Sequence, residues 1–188
     1  MNSRTSFLIL GNDACVADVA NRPRTARLAR AAMGERLGGY IYGTIVALAV
    51  VVAGARAYPH EAGHIAGLVL VTSGVFWLAH VYAHTLAHSV AHDEHVSASD
   101  LRRIAWREAS IVEAALLPTA ALALGAFGLF STRVSVWTAI GVGLGVLAVQ
   151  GLTFARVERL SWLGTAVVVT ANLGLGLLLI GVKLILSH

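Results

Sequence analysis

Apolar residues in this chain come in five long runs separated by short polar breaks. The runs cover about 38–56, 63–90, 109–130, 134–155 and 161–186. Each can supply the roughly 20 apolar residues that a helix needs to cross a hydrocarbon core. None alternates with period two, as a barrel strand would. A chain in lipid must satisfy its backbone polar groups internally, which leaves helices. The pattern therefore predicts an all-α, polytopic transmembrane helix bundle with five spans. Between the second and third runs, 97–107 reads as a capped interfacial turn, with Ser99 or Asp100 as the cap and Trp106 in the headgroup belt. Trp137 and Trp162 suit the same belt. Pro118 cannot donate to the carbonyl of Ala114 and predicts a kink in the third span.

Composition agrees with the runs. Of the residues, 57% are hydrophobic and 13% charged, and mean hydropathy is +0.74. Too few polar side chains remain to cover a water-soluble globule, and the chain is far too apolar for disorder. The single Cys15 excludes a disulfide framework and any multi-Cys metal site.

The basic residues then assign the sides. Arg4, Arg22, Arg24, Arg27, Arg30 and Arg36 precede the first span. Arg102, Arg103 and Arg107 follow the second, and Arg156 and Arg159 follow the fourth. Only Arg56, Arg133 and Lys183 fall on the other side. This bias predicts a cytoplasmic N-terminus and an outside C-terminus. It also accounts for the net charge of +4 and the pI near 9.8, so no nucleic-acid partner is expected. Residues 1–35 read as a basic, poorly ordered cytoplasmic tail able to lie on anionic lipid, and 36–188 as the five-helix transmembrane domain. The tail lacks the order of a signal peptide, and Met33 offers an alternative start. Small residues four apart, Gly39 with Gly43, Gly63 with Gly67 and Gly141 with Gly145, predict close helix approach.

Candidate chemistry concentrates in the second span. Seven of the eight histidines lie between 60 and 95. His80, His84, His88 and His92 are four apart, so their rings share one broad helical face and climb about 6 Å per step. Ionisable groups at membrane depth mark pathways or sites. Glu113 in the third span falls at a similar depth to His84 and His88, with Gln150 in the fourth and Tyr42 in the first. These residues predict a polar, cytoplasm-facing cavity for a monovalent cation or a proton, with Ile45 and Leu48 as an apolar constriction. No cofactor is needed for that reading.

The alternative is a zinc- or iron-dependent membrane enzyme on the same face, with His80, His84 and Glu113 as ligands. His60-Glu61-Ala62-Gly63-His64 is a literal H-E-x-x-H and resembles the metal motif of intramembrane site-2 proteases. The H-D-E-H at 92–95 is similar to the histidine boxes of membrane di-iron oxidases, whose further boxes the later spans lack. A third possibility is a non-catalytic scaffold subunit.

Three features over residues 36–120 resemble the small bacterial relatives of the lysosomal potassium channel that lacks a carbonyl selectivity filter. They are Arg36-Leu37-x-x-Tyr40 entering the first span, Trp77-Leu78-Ala79-His80 in the second, and Leu116-Leu117-Pro118 in the third. The family's Phe-Ser-Asp is here Tyr40-Ile41-Tyr42, and its bacterial members have six spans. The resemblance implies a homo-oligomeric cation channel of a bacterial inner membrane, gated by apolar side chains of the first helix.

Overall fold

The computed structural model describes residues 6–92 and 96–185. The described residues form helices α1 (Ser6–Ala57), α2 (Ala62–His92), α3 (Ala98–Glu108), α4 (Ser110–Ala126), α5 (Thr132–Val157) and α6 (Trp162–Ile185), with no strand among them. The chain divides into two compact units, Met1–Glu35 and Arg36–His188. The first is helical from Ser6 onward. The second is a helix bundle, and the rest of this description concerns it.

Four stretches are long and apolar enough to cross a membrane: Ala32–Ala57, Ala62–Val90, Ala98–Ala126 and Thr132–Val157. The apolar stretch of α6 described in full, Trp162–Leu178, is shorter. An integral membrane protein follows from these helices. Their surfaces agree, because Val71, Val75, Leu78, Leu117 and Val149 are all more than half exposed. A water-soluble bundle would bury them.

Helix ends follow from local chemistry. Ser97 caps α3: its Oγ accepts from the Asp100 N–H at 3.2 Å and donates to the Asp100 carboxylate at 2.5 Å. Asp100 three residues on makes this a variant of the capping box. The cap is thus Ser97, two residues before the expected Ser99, since only Ser97 has extended backbone ahead of the first helical turn. Ala109 between α3 and α4 keeps helical dihedrals, so the two run on with a single-residue interruption. Helix α4 continues through Pro118. It ends in a Schellman motif, with Leu129 N–H bonded to the Leu124 carbonyl and Gly128 at φ 76°. Helix α5 ends the same way on Arg159, a side chain held at φ 52° where glycine is usual.

Successive crossings of the bundle alternate in direction. Ile65 meets Gly54 across α2 and α1, and Gly125 meets Ser135 across α4 and α5. Helix α1 lies against α4 at Gly39 and Gly43, and a Cβ on Gly43 would sit 2.5 Å from the Ile111 carbonyl oxygen. At the centre, Leu48 is fully buried and fits against Gly143 of α5 and Gly176 of α6. Ala47, Val51, Ile65, Val69, Leu122 and Ala139 complete the apolar core. Gly141 and Gly145 face open space instead, and so does Gly67.

A Cβ on Gly143 would lie 2.6 Å from Leu48 Cδ2, so Gly143→Val must displace that knob. Gly143→Val is expected to destabilise the bundle by about 1–3 kcal/mol. Gly141→Val, with nothing in its way, should lower stability far less. Thermal unfolding of both variants in one detergent checks this, and equal losses would contradict the packing.

Candidate functional site

The polar side chains of the spans collect towards the end of the bundle that carries α3. From Arg36 to Arg56 on α1, and from His64 to His84 on α2, each helix rises about 30 Å. That matches the thickness of a hydrocarbon core. His80 is one turn inside that length, His84 marks its end and His88 lies a turn beyond.

Two acid–base groups stand here. In the first, the Arg36 guanidinium reaches both Glu113 oxygens, at 3.0 and 3.3 Å. The Tyr40 hydroxyl donates to Glu113 Oε2 at 2.7 Å. Arg36 and Tyr40 are one turn apart on α1, so both reach the same carboxylate on α4. Close approach at Gly39 and Gly43 brings the two helices near enough for this. In the second group, His84 Nε2 lies 3.4 Å from Glu108 Oε1, and Arg107 Nε donates to the same oxygen at 3.3 Å. The Glu108 side chain is only 12% exposed, whereas that of His84 is 45% exposed.

The remaining polar residues are arranged around these pairs. His80 Nδ1 lies 2.9 Å from the Phe76 carbonyl oxygen; donating to it leaves Nε2 as an acceptor. Its ring lies 5.1 Å from that of Tyr42, which also meets Phe76 edge-on at 6.0 Å. Trp77 Nε1 donates to the Ala105 carbonyl at 3.0 Å and ties α2 to α3. His88 is half-buried. Beyond Tyr42, the groove between α1 and α2 becomes wholly apolar. Val46, Ala49, Val50, Ala53, Leu68 and Phe76 line a cleft of about 420 Å³ there.

The expected site residues are therefore brought together only in part. Tyr42 and His80 touch. Glu113 meets Arg36 and Tyr40, and His84 meets Glu108. Gln150 is half-buried on α5 and joins neither group. Ile45 is half-buried, and Leu48 is packed between helices. Among the described residues no three His, Cys, Asp or Glu side chains converge as metal ligands, so His80, His84 and Glu113 do not form a ligand set. The H-E-x-x-H fares similarly. Helix α2 begins at Ala62, which leaves His60 in the preceding turn, while Glu61 pairs with His64. Tyr58 stacks on that imidazole at 5.2 Å. Both histidines need one helical face to share an ion, and this motif straddles the helix start. The side chains of the 92–95 run lie outside the described residues.

Glu108 was not anticipated, because it falls one residue before the third apolar run. The α2–α3 turn offers a signal for it. In an antiparallel hairpin, residues equally far from the turn face each other, and 84 and 108 are equidistant from Val96. No family model matches the chain, and no curated protein or solved structure matches it.

Tyr40 donates to the Glu113 carboxylate, so substitutions of the two should not be additive. Tyr40→Phe combined with Glu113→Gln is expected to show a coupling of about 1 kcal/mol in a double-mutant cycle of unfolding. Additive losses would mean that the hydroxyl contributes nothing through Glu113.

Proposed function

We propose that this integral membrane protein passes protons or monovalent cations along the histidine side of α2, as a homo-oligomer. The carrying observation is the His84–Glu108 pair, with its carboxylate nearly buried and its imidazole half open. A histidine exchanges protons near neutral pH, and a fixed carboxylate beside it favours a cation in its place. Next along the same side come His80 with a free Nε2, then Tyr42, and then the apolar α1–α2 cleft. Such an order, polar vestibule then apolar throat, suits a path gated by dewetting.

This side faces outward from a single chain. Lipid would leave His80 and Tyr42 poorly solvated, and a second copy with enclosed water removes that cost. The same arrangement supports Val46 and Val50 as the constriction. Leu48, expected in that role together with Ile45, is occupied with packing. We read α6 as the fifth span, the α3 end as cytoplasmic on the basis of its arginines, and the host membrane as a bacterial inner membrane.

Flux into proteoliposomes, with potassium and proton gradients imposed separately, tests the reading. Wild type should exceed empty liposomes, and His84→Ala and Glu108→Gln should each bring flux down to the empty level while the protein stays folded. Val50→Ser should raise flux by hydrating the throat. No flux from folded wild type, or flux indifferent to all three substitutions, would overturn the proposal.

A further inference from the structure

The end of the bundle opposite the histidine pairs holds a cleft of about 680 Å³ between the end of α1 and the start of α5. Ala55, Val136 and Trp137 give it an apolar wall, and Pro59, His60, Ser131, Thr132 and Arg133 form the rest. Among the described residues no carboxylate lines it. Arg133 has no ion pair among the described residues, and the one nearby acid, Glu61, is engaged by His64. Ser131 Oγ accepts from the Val134 N–H, which leaves its own proton free to donate.

The depth of this cleft narrows the choice of occupant. The stretch of α5 from Trp137 to Val157 rises about 30 Å, one hydrocarbon thickness. Trp162 follows at the far end and is 77% exposed, while Trp137 is 68% exposed. Two exposed tryptophans so separated mark the two interfacial belts. The cleft thus has its cation at headgroup level and its apolar wall on the hydrocarbon side. A small soluble anion would use the cation and leave the wall wet. A zwitterionic lipid would bring an ammonium to a cleft where the described residues offer it no carboxylate. An anionic phospholipid matches both parts.

We propose that this cleft binds an anionic phospholipid, with Arg133 anchoring the phosphate, His60 and the hydroxyls of Ser131 and Thr132 as further donors, and an acyl chain against Ala55, Val136 and Trp137. The site is independent of the permeation reading and stands or falls without it.

Brominated lipids test it, because they quench only tryptophans that they touch. The full chain is reconstituted in phosphatidylcholine containing a small fraction of brominated phosphatidylglycerol or, in parallel, brominated phosphatidylcholine. The Trp137 contribution is the difference between wild type and Trp137→Phe. Brominated phosphatidylglycerol should occupy the site about fivefold in preference to brominated phosphatidylcholine, the gain expected from one basic residue at a lipid surface. Arg133→Gln should abolish the preference, Arg133→Lys should keep most of it, and Arg102→Gln in α3 should leave it unchanged. Equal quenching by both lipids in wild type overturns the proposal, as does a preference that survives Arg133→Gln. Loss of the preference on adding inorganic phosphate at constant ionic strength also overturns it, since the site would then be a solvent-open anion site. Unchanged unfolding temperature in Arg133→Gln separates loss of binding from loss of fold.

Discussion

Everything in the bundle depends on how closely its helices approach one another around glycine. Lipid gives apolar side chains no reason to leave it, so the helices cohere through contact area and not through escape from water. Leu48 makes the point: its side chain fills the space left by the missing side chain of Gly143 and touches Gly176, whose own gap is filled by Leu147, so that α1, α5 and α6 meet there. Gly39 and Gly43 do the same for α1 against α4, and Gly151 for α5 against α6. The cost is visible in the polar atoms trapped there. Ser110 and Ser135 face glycines, as does the Asn172 amide, and none of the three has a hydrogen-bond partner among the described residues. Threonines in the same spans avoid that cost by donating to the carbonyl four residues back, as Thr44 and Thr119 do.

The same close approach arranges the charges. Arg36 reaches Glu113 because α1 and α4 run in the same direction and touch one turn further along. Glu113 is then held by a guanidinium and a phenol, which suits a fixed structural post. Glu108 is held by Arg107 on its own helix and by the partly exposed His84. Two carboxylates a turn and a half apart thus have different partners and different freedom.

The membrane character was legible because run length and hydropathy are properties of the sequence itself. The close approach at Gly39 and Gly43 was legible too, yet Gly141 and Gly145 carry the same spacing and meet nothing. Spacing tells which residues share a helical face; which face turns inward depends on all the other helices. The partners of Glu113 and His84 were hidden for a related reason. Depth counted from the end of an apolar run ignores how far a helix continues beyond it, and α2 and α3 both continue. Had the α2–α3 turn been used as the origin, Glu108 would have fallen opposite His84. The H-E-x-x-H match failed at the most local level, since a motif read as helical began two residues before its helix.

Helices α3 and α4 form one nearly continuous rod. Ala109 keeps them nearly continuous, and Trp77 and His84 fasten the outer part to α2. Pro118 is buried in the lower part, where the chain lacks one backbone hydrogen bond. From there to Ala98 the rod measures about 30 Å, so a bend of about 10° at Pro118 would carry its tip about 5 Å. A small change in the middle of the bundle is thereby geared up to a large one at the far end of the hairpin, where the acid–base pair and the exposed arginines of α3 lie.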